Sequence, residues 1–157
     1  MKIKPIWVIL ISVAIAEGVG FLSGLLSGNI GAVYQQLQQP PLAPPGWLFP
    51  IAWGILYALM GIAAGLIWLN NGDMLARRNA LNLYAIQLFV NFTWSIIFFR
   101  FMAFGAGVAV VLLLDVLVLL TLLRFWKISR PAGILLIPYL LWLLYATYLT
   151  IGIAVLN

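Results

Sequence analysis

Three tryptophans, Trp53, Trp94 and Trp142, stand with Tyr57, Gln87 and Asn91 as the side chains here best suited to hold or alter another molecule. Each recurs with neighbours three or four residues away, the repeat of a helix face. Pro50, Trp53, Tyr57, Met60, Ala64 and Trp68 make one face, and Tyr84, Gln87, Asn91, Trp94 and Phe98 a second. Pro138, Trp142, Tyr145 or Ala146, and Leu149 make a third. Indole and phenol rings stack on flat molecules, and amides in apolar surroundings need partners. Core packing and a flat-ligand site are equally open readings of the three tryptophans, and Gln87 and Asn91 tilt the balance toward the site.

The absences narrow the chemistry further. With no Cys and no His, the chain has no means of building a Cys/His zinc site, a histidine triad, a thiol nucleophile or a disulfide. The usual His and Cys ligands of haem iron are missing as well, leaving Met or Tyr as less usual ones, so a tetrapyrrole bound here is expected to be a metal-free porphyrin or a weakly held haem. No phosphate-binding glycine loop is present, no metal site is expected, and no cofactor is required. Two carboxylates, Glu17 and Asp115, fall near the middle of apolar runs without a Lys or Arg at similar depth. They read either as a proton-coupled or ligand-polarising site, or as neutral acids hydrogen-bonded to a neighbouring helix.

The stretch PPLAPPGWLFPIAW, Pro40 to Trp53, sets a stiff loop against the start of an apolar helix. Prolines 40, 41, 44 and 45 restrict the backbone and suppress helix before Gly46, after which Trp47, Phe49 and Trp53 enter the apolar run. Residues 27–46 together are long for a structureless connection, which suggests a lid.

These residues are positioned by membrane-spanning helices. The composition is 66% hydrophobic and 7% charged over 157 residues, with a mean hydropathy of +1.16, which excludes a soluble domain with a polar surface. Five continuous apolar segments, 6–26, 47–69, 80–99, 106–123 and 132–156, each approach the roughly 20 residues that cross a bilayer. The expected fold is therefore an all-α integral membrane bundle of five helices, one domain over 1–157. Lys2, Lys4, Arg77, Arg78, Arg124, Lys127 and Arg130 all fall on the N-terminal side of such a bundle and only Arg100 opposite. That asymmetry predicts a cytoplasmic N-terminus and an outer C-terminus in the plasma membrane. It also explains the +5 charge without nucleic acid, since no basic face forms.

Trp7, Trp47, Trp68 and Trp126 lie near segment ends, as interfacial aromatics do. Ala14-Ile15-Ala16 resembles a signal-peptide cleavage site, but the apolar character resumes after Glu17 through Leu26. Gly20, Gly24 and Gly28, and again Gly61 and Gly65, form small-residue stripes suited to close helix packing, within the chain or across a dimer seam.

Four segments together resemble the TspO/MBR family of translocator and tryptophan-rich sensory proteins. They are Tyr34 with PPLAPPGWLFPIAW, WGILYALMG from Trp53, LYAIQLFVNFTWSIIFF from Leu83, and PYLLWLLYATYL from Pro138. The resemblance implies a compact five-helix bundle, often dimeric, with a pocket beneath its first long loop for porphyrins, aromatic drug-like ligands and, in some members, sterols. With the loop and the helix faces, the expected ligand contacts are Tyr34, Pro44, Pro45, Trp47, Trp53 and Tyr57 from the first half of the chain. From the second half they are Gln87, Asn91, Trp94, Pro138, Trp142 and Ala146. Trp53 and Trp142 match the tryptophans that the family associates with light-dependent protoporphyrin breakdown, so they would be catalytic if the protein is an enzyme. The animal sterol pattern needs a basic residue soon after its Tyr, and none occurs after Arg130, which counts against sterol binding. A reversed pattern, Arg78, Tyr84 and Leu88, does match. Thr150 stands where the family usually has Asn.

The expectation is a membrane receptor for protoporphyrin-type tetrapyrroles, as sensor, buffer or carrier, and as a homodimer. A porphyrin-degrading enzyme and a proton-coupled transporter using Glu17 and Asp115 are the alternatives.

Overall fold

The computed structural model describes residues 3–157, so Lys2 lies outside the described residues. Five helices in it are long and apolar enough to cross a membrane. The first, α1, runs over Pro5–Leu26, with Pro5 in its first turn, where its missing N–H costs nothing. It stops at Ser27, and Gly28 takes a φ of +82° that other residues adopt at a cost. Inside the connection expected at 27–46 the chain folds a short helix, α2, over Ile30–Gln36. The side chain of Asn29 caps it by accepting from Ala32 N at 3.1 Å.

The second span, α3, covers Leu48–Leu69. Pro50 sits in its first turn, where the backbone N–H groups have no partner to lose. Next, α4 covers Met74–Ser95, beginning six residues ahead of the expected Ala80. Asp73 caps it through Leu75 N at 3.2 Å, and Arg77 and Arg78 ride on its first turns. Apolar periodicity alone misses such a polar start. The helix then widens into a π-helical turn over Ile96–Arg100, closed by Phe101 N donating to Ile96 O at 3.2 Å. Such a turn inserts a residue into the helical register, and Phe98 and Phe99 are both buried in it. Span α5 covers Phe104–Ile128 and α6 covers Arg130–Leu156, joined at Ser129. The Gly133 backbone lies so close to Trp126 that a Cβ would sit 2.8 Å from the Trp126 Cα.

Around the bundle the order is α1, α3, α6, α5, α4, and α4 returns to α1 through its loosest contact. An open apolar groove of about 280 Å³, bordered by Val19, Ala85, Leu88, Phe89 and Phe92, marks that seam. Gly61 and Gly65 let α3 approach the backbone of α1 at Val13 and Ile9, and Gly20 receives the Tyr57 ring. Gly24 meets nothing within 4 Å. The small-residue stripes are thus partly spent inside the chain. The outer surface stays apolar, with Phe21, Phe89 and Val155 well exposed, as lipid contact requires.

At one end of the bundle Asn70 Nδ2 donates to Ile128 O at 3.3 Å, and Arg77 donates to Asn70 O. These bonds bring together the two basic connections, and Arg130 lies over the Trp126 ring at 5.8 Å. Arg100 falls at the opposite end, beside the lid.

Candidate functional site

Under the lid the rings form a cage. Tyr34 meets Phe49 edge-on at 5.0 Å, and Phe49 meets Trp142 edge-on at 6.1 Å. Trp53 lies 5.7 Å from Tyr57, 6.4 Å from Trp94 and 6.2 Å from Tyr139. Trp94 stacks on Phe98 at 5.8 Å with 21° between planes. A small cavity of about 20 Å³ remains among Tyr34, Phe49, Trp53, Trp94, Phe98, Phe99, Ala146, Leu149, Thr150 and Ile153. That is room for about one water. A ring-sized guest must therefore part the lid and its neighbouring rings.

Beneath Trp53 a polar network closes on itself. Tyr57 Oη donates to Asn91 Oδ1 at 3.2 Å, Asn91 Nδ2 donates to Tyr139 Oη at 2.7 Å, and Tyr139 Oη donates to Gln87 Oε1 at 2.7 Å. Gln87 Nε2 reaches Met60 Sδ at 3.8 Å. In an apolar interior each of these groups needs a partner, and three helices supply them to one another. Gln87 and Asn91 therefore position α3, α4 and α6 below the cavity.

The lid is tied down mainly by α6. Tyr34 Oη donates to Pro44 O at 2.6 Å, and Gln39 Nε2 donates to Tyr34 O at 2.9 Å. Burial, with a smaller contribution from neighbouring Tyr145, raises the Tyr34 phenol above its ordinary range and keeps it a neutral donor. From α6, Tyr145 donates to Leu42 O and Tyr148 to Pro41 O. Asn157 pairs with the Gln38 backbone, accepting at 3.1 Å and donating at 2.9 Å. The Pro40 ring lies directly on Gly152, where a Cβ would fall 2.6 Å from its Cγ. Leu42, at the exposed tip, has a φ of +68°.

Of the residues expected at the site, Tyr34, Trp53, Trp94 and Ala146 border the cavity. Pro44 is buried as the acceptor for Tyr34, and Tyr57, Gln87 and Asn91 lie one layer deeper. Trp142 packs against Phe49 and Tyr145. Pro45 and Trp47 lie on the exposed side of the lid, and Pro138 faces outward from α6. Five residues not expected as ligand contacts complete the site: Phe49, Phe98 and Thr150, which the sequence marks in its loop, helix face and motif, and Phe99 and Tyr139, which it does not single out. Tyr139, one position past Pro138, belongs to the inward series 139, 143, 146, 150, 153 that a strict helix repeat could have found. The crowding of Phe98 and Phe99 comes from the π-helical turn, which has no plain sequence mark.

Asp115 of α5 accepts from Thr147 Oγ1 of α6 at 2.7 Å, while Glu17 is half-buried on α1. The reversed sterol pattern does not form one surface. Tyr84 is buried against Phe125 at 5.9 Å, whereas Leu88 borders the outer groove.

Five apolar helices, an aromatic cage and a proline lid latched to the last helix define a multi-pass membrane protein with an internal ring-lined site. The TspO/MBR family model matches residues 6–156, and the chain belongs to that family. It is 36% identical to the tryptophan-rich protein TspO of Chlorobaculum tepidum, over 98% of each chain. It is 35% identical to the protein of that name in Archaeoglobus fulgidus, over 93% of this chain and 94% of the relative. To the translocator protein of Homo sapiens it is 32% identical, over 92% of this chain and 88% of the relative.

Proposed function

We propose that this membrane sensor or translocator of the TspO/MBR family is a receptor for planar aromatic ligands, chiefly metal-free porphyrins of the protoporphyrin kind. The observation that carries the reading is the cage of Tyr34, Phe49, Trp53, Trp94, Phe98 and Phe99 around one space beneath a latched lid. Ring walls on several sides suit a flat, polarisable guest. The lid's hydrogen bonds are a reversible closure, so binding is coupled to lid opening.

The same reading sets the basic end of the bundle in the cytoplasm and the lid outside a plasma membrane, in keeping with the charge asymmetry. It also includes a homodimer, for which the open turn of α1 at Gly24 is a candidate seam.

A second reading, light- and oxygen-dependent porphyrin breakdown, draws support from Trp53, an oxidisable indole set among Tyr57, Trp94 and Tyr139. Quenching of tryptophan fluorescence by protoporphyrin on purified protein, in the dark and under illumination, tests both. A receptor quenches saturably and yields no product. An enzyme consumes porphyrin in the light, and Trp53→Phe or Trp142→Phe stops consumption with little loss of affinity. Absence of saturable quenching sinks the porphyrin assignment.

A further inference from the structure

The hydroxyls around the cavity are already engaged, while Trp53 Nε1 makes no hydrogen bond among the described residues but is not fully buried. The Tyr34 hydroxyl donates to Pro44 O at 2.6 Å and the Thr150 hydroxyl to Ala146 O at 2.7 Å. Both have given up their only proton and are left as acceptors. Trp94 Nε1 differs: it is buried, its ring borders the cavity, and it meets no acceptor among the described residues. An indole nitrogen can only donate, and leaving it unpaired in an apolar interior forfeits its hydration without return. The ring is also held in place, stacked on Phe98 and braced by Phe99 at 6.3 Å and Trp53 at 6.4 Å. A fixed, uncommitted donor is a preorganised one. Trp142 Nε1 is likewise buried without a partner, but its ring packs on Phe49 and does not border the cavity. Among the described residues no Lys, Arg, Asp or Glu borders the cavity either.

We propose that Trp94 Nε1 is the donor by which this pocket selects its ligand, a flat aromatic molecule bearing a compact uncharged acceptor such as a ring carbonyl. The inference rests on the cavity being a ligand site, and not on the ligand being a porphyrin. An acceptor set at the ring edge meets the indole N–H while the ring itself packs among the aromatic side chains of the cage. A hydrocarbon of the same shape fills the same space and leaves the donor unpaired.

Fluorene and 9-fluorenone share a skeleton and differ by one carbonyl, so they isolate this contact. Affinities for the full chain in nanodiscs, corrected for partition into lipid, should favour fluorenone by roughly five- to tenfold, the worth of one buried hydrogen bond. Trp94→Phe should bring the ratio to about one, the smaller ring weakening both ligands alike, and Trp142→Phe should keep it. Equal affinities in the unaltered protein, a preference that survives Trp94→Phe, or one lost in Trp142→Phe would each overturn the proposal. If Trp94→Phe does not fold, the infrared carbonyl stretch of fluorenone bound to the unaltered protein decides. A shift below its position in hydrocarbon solvent supports the donor, and an unshifted band overturns it. If protoporphyrin quenches while neither probe binds, the donor assignment fails and the porphyrin reading stands. A Trp94-dependent preference without porphyrin quenching supports the donor assignment and ends the porphyrin reading.

Discussion

At the scale of single residues, the site separates side chains that face a guest from those that hold the walls. Trp53 and Trp94 border the cavity, while Asn91 sits beneath, shared between the hydroxyls of Tyr57 and Tyr139. Replacing Asn91 with Leu keeps the approximate volume but strands the buried Tyr57 hydroxyl and takes a donor from Tyr139, which keeps its bond to Gln87, at a cost of about 1–3 kcal/mol. Thermal unfolding in detergent should therefore shift down markedly for Asn91→Leu. Asn91→Asp, which keeps the acceptor for Tyr57, should lose less than Asn91→Leu when both are assayed near pH 5. A larger loss for the Asp variant would show that the network is not what Asn91 supports. Ligand contact gives a different signature. Trp53→Phe should lower porphyrin affinity on the order of 1 kcal/mol through lost stacking surface, whereas Trp126→Phe, partly exposed at the basic end, should not. The sequence already sorted the tryptophans: Trp7, Trp47, Trp68 and Trp126 are all exposed, while Trp53, Trp94 and Trp142 are covered. Position along an apolar run was enough for that. The inward face of α6 that carries Tyr139 was readable from its repeat, but the pairing of Gln87 and Asn91 with Tyr139 was not, because it depends on the depth at which two helices meet.

At the scale of elements, α6 serves two purposes, walling the cavity with Ala146, Leu149 and Thr150 and latching the lid with Tyr145, Tyr148 and Asn157. The latch bonds are exposed, so each is worth little alone and their loss should act on rates more than on stability. Stopped-flow quenching of the triple variant Tyr145→Phe, Tyr148→Phe, Asn157→Ala should show ligand association and dissociation both accelerated, several-fold or more, with a small change in equilibrium affinity. Unchanged rates would mean that guests reach the cavity by another route, of which the loose α1–α4 seam is the obvious one. The glycines make a second contrast. At Gly61 a Cβ would collide with the Val13 backbone, which cannot swing aside as a side chain can. Gly61→Ala should destabilise by about 1–3 kcal/mol, whereas Gly24→Ala, which meets open space, should leave the folded chain nearly unaffected. If Gly24→Leu also leaves the cross-linked dimer yield unchanged, the α1 seam is excluded. Hydrophobic run length located the spans well, yet it placed the start of α4 six residues late and passed over α2. Both misses lie where short polar caps, Asp73 and Asn29, extend helix into stretches whose hydropathy had already fallen.

For the whole molecule, the bundle has a basic end and an aromatic, proline-lidded end, and the contrast bears on which way it faces. Lys4, Arg77, Arg78, Arg124, Lys127 and Arg130 lie at or near one end, where Asn70 ties two of the connections together through Ile128 O. Arg100 lies at the other, next to the lid. A cation at the bilayer centre costs about 2.5–3.5 kcal/mol on insertion scales, so turning the molecule over would mean carrying this cluster across the hydrocarbon. The bundle should therefore insert with its basic end in the cytoplasm. A reporter active only outside the cell, fused after Asn157, should then be active, and one fused in the connection between α3 and α4 silent. A silent fusion after Asn157 with an active one at that connection would invert the orientation and put the lid, and with it the route to the cavity, on the cytoplasmic face. Silence at both positions would contradict a fixed outward lid. Removing Arg124, Lys127 and Arg130 together should weaken the bias and give mixed labelling of the two ends, because the positive-inside preference accumulates over several residues and no single one sets it.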